Sequence, residues 1–253
     1  MPPVILKSEG QNQKMKWTEN IKVSPHDTDI NTVVSASSLI RYMQDAANSQ
    51  LHNLGPSNEE LRADGKAFIL SRIICDLYEP AYNYDELTVQ TWSREARGFS
   101  MSRFHRIMRG NTLIAAAETI WAMVDIKTKQ PLRASEFKPN FEPDEKLDIN
   151  FPARIHFPEN ECFAKVFEHT VLYSDTDINQ HMNNTKYPDL YCNAIDMRGR
   201  RPSGISISFL NEAPIGEKLD VYLAEENGYL FFKSIRQDGK INTEAFMKLE
   251  EFK

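Results

Sequence analysis

The chain has little cysteine, no surplus of positive charge and no long apolar run. Its 253 residues include three cysteines, Cys75, Cys162 and Cys192, and no CxxC pair. This disfavours a disulfide scaffold or a structural zinc site and fits a reducing setting. Thirty Lys and Arg stand against 36 Asp and Glu, a net charge of −6. Nucleic-acid binders carry the opposite balance, so no nucleic-acid partner is expected. The longest largely apolar stretch, Leu113 to Val124, is broken by Glu118 and Thr119, and a membrane span needs roughly 18 or more apolar residues. The opening ten residues lack the apolar core of a signal peptide and the Arg/Ser character of a transit peptide. A soluble, cytoplasmic protein is expected. No GxSxG elbow, Walker loop or GxGxxG fingerprint occurs, so no nucleotide cofactor is indicated. His26, His52, His105, His156 and His169 show no metal-ligand spacing. No cofactor or metal is expected.

The composition is 41% hydrophobic and 10% aromatic, enough to bury a real core. The sequence also contains a repeat. Asp27-Thr28-Asp29-Ile30-Asn31 recurs as Asp175-Thr176-Asp177-Ile178-Asn179, 148 positions later. Each copy follows a short apolar stretch and precedes a helical pattern. The first helix is expected over Ser37–Leu54, with Ser37 or Ser38 as cap, one apolar face and a Gly55-Pro56 stop. The second is expected over Asn184–Met197, with Pro188 in its first turn.

Strand patterns follow both helices. They cover 67–78, 86–94, 100–109 and 112–126 in the first half, and 204–211, 218–225, 229–237 and 240–250 in the second. Gly110-Asn111, Asn227-Gly228 and Asp238-Gly239 mark tight turns. A helix laid across a curved antiparallel sheet buries both apolar faces. The expected fold is α+β, a double hot dog. The units are residues 1–136, a proline-containing connector over 137–160, and residues 161–253.

The copies diverge after the shared pentapeptide. The first continues Thr32-Val33-Val34-Ser35, the second Gln180-His181-Met182-Asn183-Asn184. Carboxylate, amide and imidazole thus gather before the second helix, a set suited to general acid–base work. The helix start could supply N–H groups to an oxyanion. Such runs also serve as caps and turns, which would cover Asp175 and Asn184. Cys192 reads as a small buried apolar residue.

The run Asp177-Ile178-Asn179-Gln180-His181-Met182-Asn183-Asn184-Thr185-Lys186-Tyr187 resembles the signature of acyl-acyl-carrier-protein thioesterases, double hot-dog enzymes of plant plastids and bacteria. The resemblance implies active-site roles for Asp177, Asn179 and His181, and for an acidic residue some thirty positions on, which is Glu212. Plant members have a cysteine after that acid, where this chain has Ala213. An acid–base mechanism needs no such cysteine. The chain looks like a bacterial member.

The resemblance implies hydrolysis of a fatty acyl thioester on acyl carrier protein, without metal. Glu212 or Asp177 would activate water, His181 would bridge substrate, water and carboxylate, and Asn179 would position water or polarise the carbonyl. A mixed anhydride on a carboxylate is an alternative path. The acyl chain is placed in the first half, with Met43, Ile69, Ile74, Met101 and Ile114 as lining candidates or plain core. Arg198, Arg200 and Arg201, or Arg94 and Arg97, would dock an acidic carrier. Exposed strand edges would let two copies pair. The competing readings are an acyl-CoA thioesterase, a hydroxyacyl dehydratase, or an acyl-binding regulator without catalysis.

Overall fold

The computed structural model describes residues 16–252. The opening ten residues, read above for leader character, lie outside that range. After strand β1 (Trp17–Lys22), helix α1 spans Ala36–Leu54 and a short helix α2 spans Asn58–Ala63. Four strands follow: β2 (Lys66–Leu77), β3 (Glu86–Ser93), β4 (Met101–Arg109) and β5 (Thr112–Asp125), with the two-residue β6 (Pro131–Leu132) paired to β5. The second half contains β7 (Ala164–Thr170), α3 (Tyr187–Cys192), β8 (Arg200–Phe209), β9 (Lys218–Glu226), β10 (Tyr229–Arg236) and β11 (Ile241–Glu251).

All these strands form one antiparallel sheet, in the order β1-β3-β4-β5-β2-β8-β11-β10-β9-β7. The second half repeats the first in mirror sequence about the β2–β8 junction, where Ile73 pairs with Ile207 and Cys75 with Ile205. The two hot dogs therefore share a backbone hydrogen-bond ladder. The α+β double hot dog read from the repeat is the fold observed.

Helix α1 presents the expected face. Leu39, Ile40, Met43, Ala46, Ala47 and Leu51 are buried against the sheet. Each large member contributes about 1.5–3 kcal/mol of burial. The cap is Ser35, two or three residues earlier than expected: its Oγ accepts from the Ser38 amide at 3.1 Å. Ser37 is buried instead, and its Oγ accepts the Asp189 amide of α3 at 3.0 Å. Gly55, at φ 62°, closes the helix by donating to Leu51 O.

The second helix is much shorter than its expected span of 184–197. Asn184–Lys186 is a 3₁₀ turn, and the α-helix ends at Cys192. Beyond it, the Ala194 and Ile195 amides bond the carbonyls three residues back, the tight pattern of a fading helix. Asp196 then binds the Arg198 amide through its side chain and turns the chain. Sequence periodicity ran through this segment, but its polar residues favour local turns.

The stretch after Phe137 crosses the face of the sheet opposite the helices. Phe151 stacks on Phe246 at 5.5 Å within a second apolar cluster that includes Ile74 and Phe231. Buried Asp76 pins it by accepting the Asn150 and Phe151 amides.

Candidate active site

The repeated pentapeptide folds the same way twice. In the first copy, Asp29 Oδ1 accepts the Asn31 amide at 2.8 Å, and the Thr32 amide donates to Asp29 O at 3.0 Å. In the second, Asp177 Oδ1 accepts the Asn179 amide at 2.8 Å, and the Gln180 amide donates to Asp177 O at 3.0 Å. Thr32 and Gln180 both take the left-handed conformation, at φ 63° and 61°. A side-chain-closed turn compensates for that strain.

The second turn carries the polar set. Both Asp177 carboxylate oxygens are engaged by Asn179, Oδ1 by its amide and Oδ2 by Nδ2 at 3.0 Å. His181 follows on a short bridge to Pro214, formed by Met182 N–H to Ala213 O and Ile215 N–H to Gln180 O. That bridge brings in the segment after β8. His181 Nε2 lies 3.6 Å from Glu212 Oε2, just beyond direct hydrogen-bond reach. Glu212 Oε1 faces Lys129 Nζ at 3.7 Å. The structure thus gathers Asp177, Asn179, His181 and Glu212 in one place.

Two cations there come from the first half, where no local signal marks them. Arg62 of α2 hydrogen-bonds Asn179 Oδ1, and Lys129 approaches Glu212 from the turn after β5. The expected oxyanion donors are partly consumed. Asn183 Oδ1 already accepts the Thr185 amide, and Asn183 O accepts that of Lys186.

These residues line one wall of a cavity of about 970 Å³. Its other walls come from the first half: Leu51 and Leu61 of the helices, Phe68 and Ile69 of β2, Met101 of β4 and Trp121 of β5. Of the expected lining residues, Ile69 and Met101 do line it. Met43 and Ile114 belong to the packed core, and Ile74 lies in the cluster under Phe151. Tyr187 of α3 also borders the cavity while buried, and Tyr191 packs against Phe232 at 4.7 Å. Burial drives both phenols upward in pKa and keeps them neutral.

Two further buried polar groups line the cavity. Arg103 is 8% exposed, and burial lowers its pKa to about 10. His105 is buried with Nε2 3.0 Å from Thr119 Oγ1, and burial, then the Arg103 charge, holds its pKa well below the usual imidazole value. Both face inward from a strand whose alternation gave no hint of a cavity. Cys192 is half-buried, and desolvation pushes its thiol up to about 12, which leaves it unreactive. Among the described residues no three His, Cys, Asp or Glu side chains are placed to hold a metal, and no helix is long and apolar enough to cross a membrane.

Family models decide what this arrangement belongs to. The acyl-ACP thioesterase N-terminal domain matches residues 14–137, and the acyl-ACP thioesterase C-terminal domain matches residues 160–251.

The chain belongs to the acyl-ACP thioesterase family.

Members of that family are thioester hydrolases that release free fatty acid and holo-carrier protein from fatty acyl-acyl carrier protein, and this chain is such an enzyme. Its fold is similar to that of an acyl-ACP thioesterase from Bacteroides thetaiotaomicron, with a TM-score of 0.83 at 22% identity, covering 92% of this chain and 97% of that one. It is also similar to the 12:0-ACP thioesterase of Umbellularia californica, with a TM-score of 0.80 at 13% identity, covering 94% and 98% of the two chains. An acyl-CoA thioester hydrolase of Shigella flexneri, YbgC, is 30% identical over 112 residues, 44% of this chain and 84% of that protein. In this thioesterase Ala213 is buried and structural, its carbonyl accepting the Met182 amide.

Proposed function

We propose that Glu212 is the general base of this acyl-ACP thioesterase, that His181 aligns the water with it, and that Asp177 positions Asn179. The observation that carries this is the 3.6 Å His181–Glu212 pair on the wall of the 970 Å³ cavity. Asp177 has both oxygens committed to Asn179, whereas Glu212 has only ion-pair contacts to His181 and Lys129. A carboxylate free of hydrogen bonds is the better proton acceptor. Glu212 takes the proton of the water as its oxygen attacks the thioester carbonyl. One Nδ2 hydrogen of Asn179 remains for the developing oxyanion. Collapse of the tetrahedral intermediate expels the carrier thiolate, which takes up the proton held by Glu212 and restores the carboxylate. The first half houses the acyl chain and the second supplies the catalytic groups.

The carrier docks on the basic residues that ring the cavity. Arg62, Arg94 and Lys129 line it, while Arg236 there is already paired with Glu217 and Asp238. The cluster expected at 198–201 is unsuited. Arg198 is paired with Asp196, and Arg201 is buried against Glu250 and the Tyr78 carbonyl.

The test is thiol release from acyl-carrier proteins and matching acyl-CoAs. Glu212→Gln and His181→Ala are each expected to lower kcat by about 10²-fold or more, with normal folding. If Asp177→Asn alone abolishes turnover while Glu212→Gln retains it, the base assignment is wrong.

A further inference from the structure

Arg103 is a buried guanidinium with an empty face. Its Nη1 donates to Gln50 Oε1 at 2.5 Å and to Thr91 Oγ1 at 3.2 Å, and the Phe141 ring lies 5.7 Å away. No other hydrogen bond is made by this side chain among the described residues, and no carboxylate there pairs with it. Its Nε–Nη2 edge, the edge that grips a carboxylate by two parallel bonds, is unused on a residue that lines the cavity. A buried charge without a counter-ion is costly to keep.

A second unpaired donor lies beside the same cavity. Gln44 of α1 lines it, and its buried Nε2 has no hydrogen-bond partner. The surroundings are apolar, from Phe68, Leu70, Met101 and Trp121. A plain hydrocarbon chain would leave both donors unmatched, and unmatched buried donors oppose binding.

Arg103 is remote from the thioester position. Through the ladder it lies opposite Thr119, which pairs with Ile73, which pairs with Ile207. That is three strand spacings, about 14 Å across the sheet. Glu212 lies beyond the end of β8 on the far side.

We propose that this enzyme's cavity accepts acyl chains bearing an oxygen acceptor remote from the thioester, a carboxylate or a hydroxyl, which Arg103 reads through its Nε–Nη2 edge. The inference rests on the cavity being the acyl site. The hydrolysed bond is unchanged, and the distal oxygen takes no part in the chemistry. Arg103 is a specificity residue.

The experiment compares kcat/KM for three carrier-bound acyl series of varied length, ending in methyl, hydroxyl or carboxylate, in wild type, Arg103→Met and Arg103→Lys. At the preferred length the wild type should favour an oxygen-bearing end over methyl by tenfold or more, chiefly through KM. Arg103→Met should reverse that ratio and melt no lower than wild type, since it removes an unpaired buried charge. If carboxylate is the ligand, Arg103→Lys keeps part of the preference; if hydroxyl, the carboxylate series stays poor in every variant. A wild type that prefers methyl ends, with a ratio unmoved by Arg103→Met, overturns the proposal. Ile69→Trp separates the two readings. It should depress all three series if the cavity is the acyl site, and no effect on any series would remove that reading and this inference with it.

Discussion

Asn31 and Asn179 occupy the same place in the two copies of the pentapeptide, and each reaches into the opposite half of the molecule. Asn31 Nδ2 donates to the Met197 and Arg200 carbonyls at 2.7 and 3.0 Å, and its Oδ1 accepts the Gly199 amide at 2.9 Å. Asn179 Oδ1 accepts from Arg62 across the other side. One turn has become a structural clamp, and its copy lines the cavity.

The two asparagines should therefore separate stability from activity. Asn31→Ala loses three part-exposed hydrogen bonds and should cost about 2 kcal/mol of unfolding free energy. Asn179→Ala should cost less stability and lower kcat by about tenfold or more. Chemical denaturation beside steady-state kinetics reads both. The reverse pattern would mean that the roles have been assigned to the wrong copy.

Docking makes a charge-dependent prediction. Arg94→Glu, at the cavity rim, should raise KM for acyl-carrier protein several-fold and leave a short acyl-CoA nearly unaffected. Added salt should shrink the difference. Equal losses on the two donors would show that Arg94 supports the site itself.

His105 makes the protein acid-sensitive. Its folded pKa lies well below the ordinary imidazole value of 6.5 because burial and Arg103 disfavour the charged ring. Below pH 6.5 the unfolded chain takes up a proton that the folded ring refuses. The stability is thus present above that pH and declines as pH falls, by about 1.4 kcal/mol per unit until the folded ring protonates. His105→Gln should flatten this limb in melts between pH 7 and 4.5. An unchanged limb would assign it to carboxylates.

Gly204 should tolerate no side chain. A Cβ there would stand 2.1 Å from the Phe151 ring, itself stacked on Phe246. Gly204→Ala should destabilise by about 1–3 kcal/mol. In a Phe151→Ala background the added cost should shrink, which a double-mutant cycle measures. Additivity would place the strain elsewhere.

The sequence by itself determined the repeat, the two-unit fold, the face of α1, the hairpin turns and the polar run through Asp177, Asn179 and His181, while Glu212 was marked only by the family resemblance. These are local patterns: a helix period, a strand alternation, a turn closed by its own aspartate. At Asn227-Gly228, for instance, both residues take positive φ, 52° and 73°, as such a hairpin requires. Tertiary structure decided the rest. Arg62 lies 117 positions from Asn179, and no spacing in the chain records their meeting. The cavity draws its walls from both halves, with Leu51, Phe68 and Trp121 on one side and His181, Tyr187 and Glu212 on the other. Met43 and Met101 look alike in sequence, yet one is core and the other lines the cavity. Such differences arise from side-chain volumes summed across a sheet, and those sums exist only once the strands have paired.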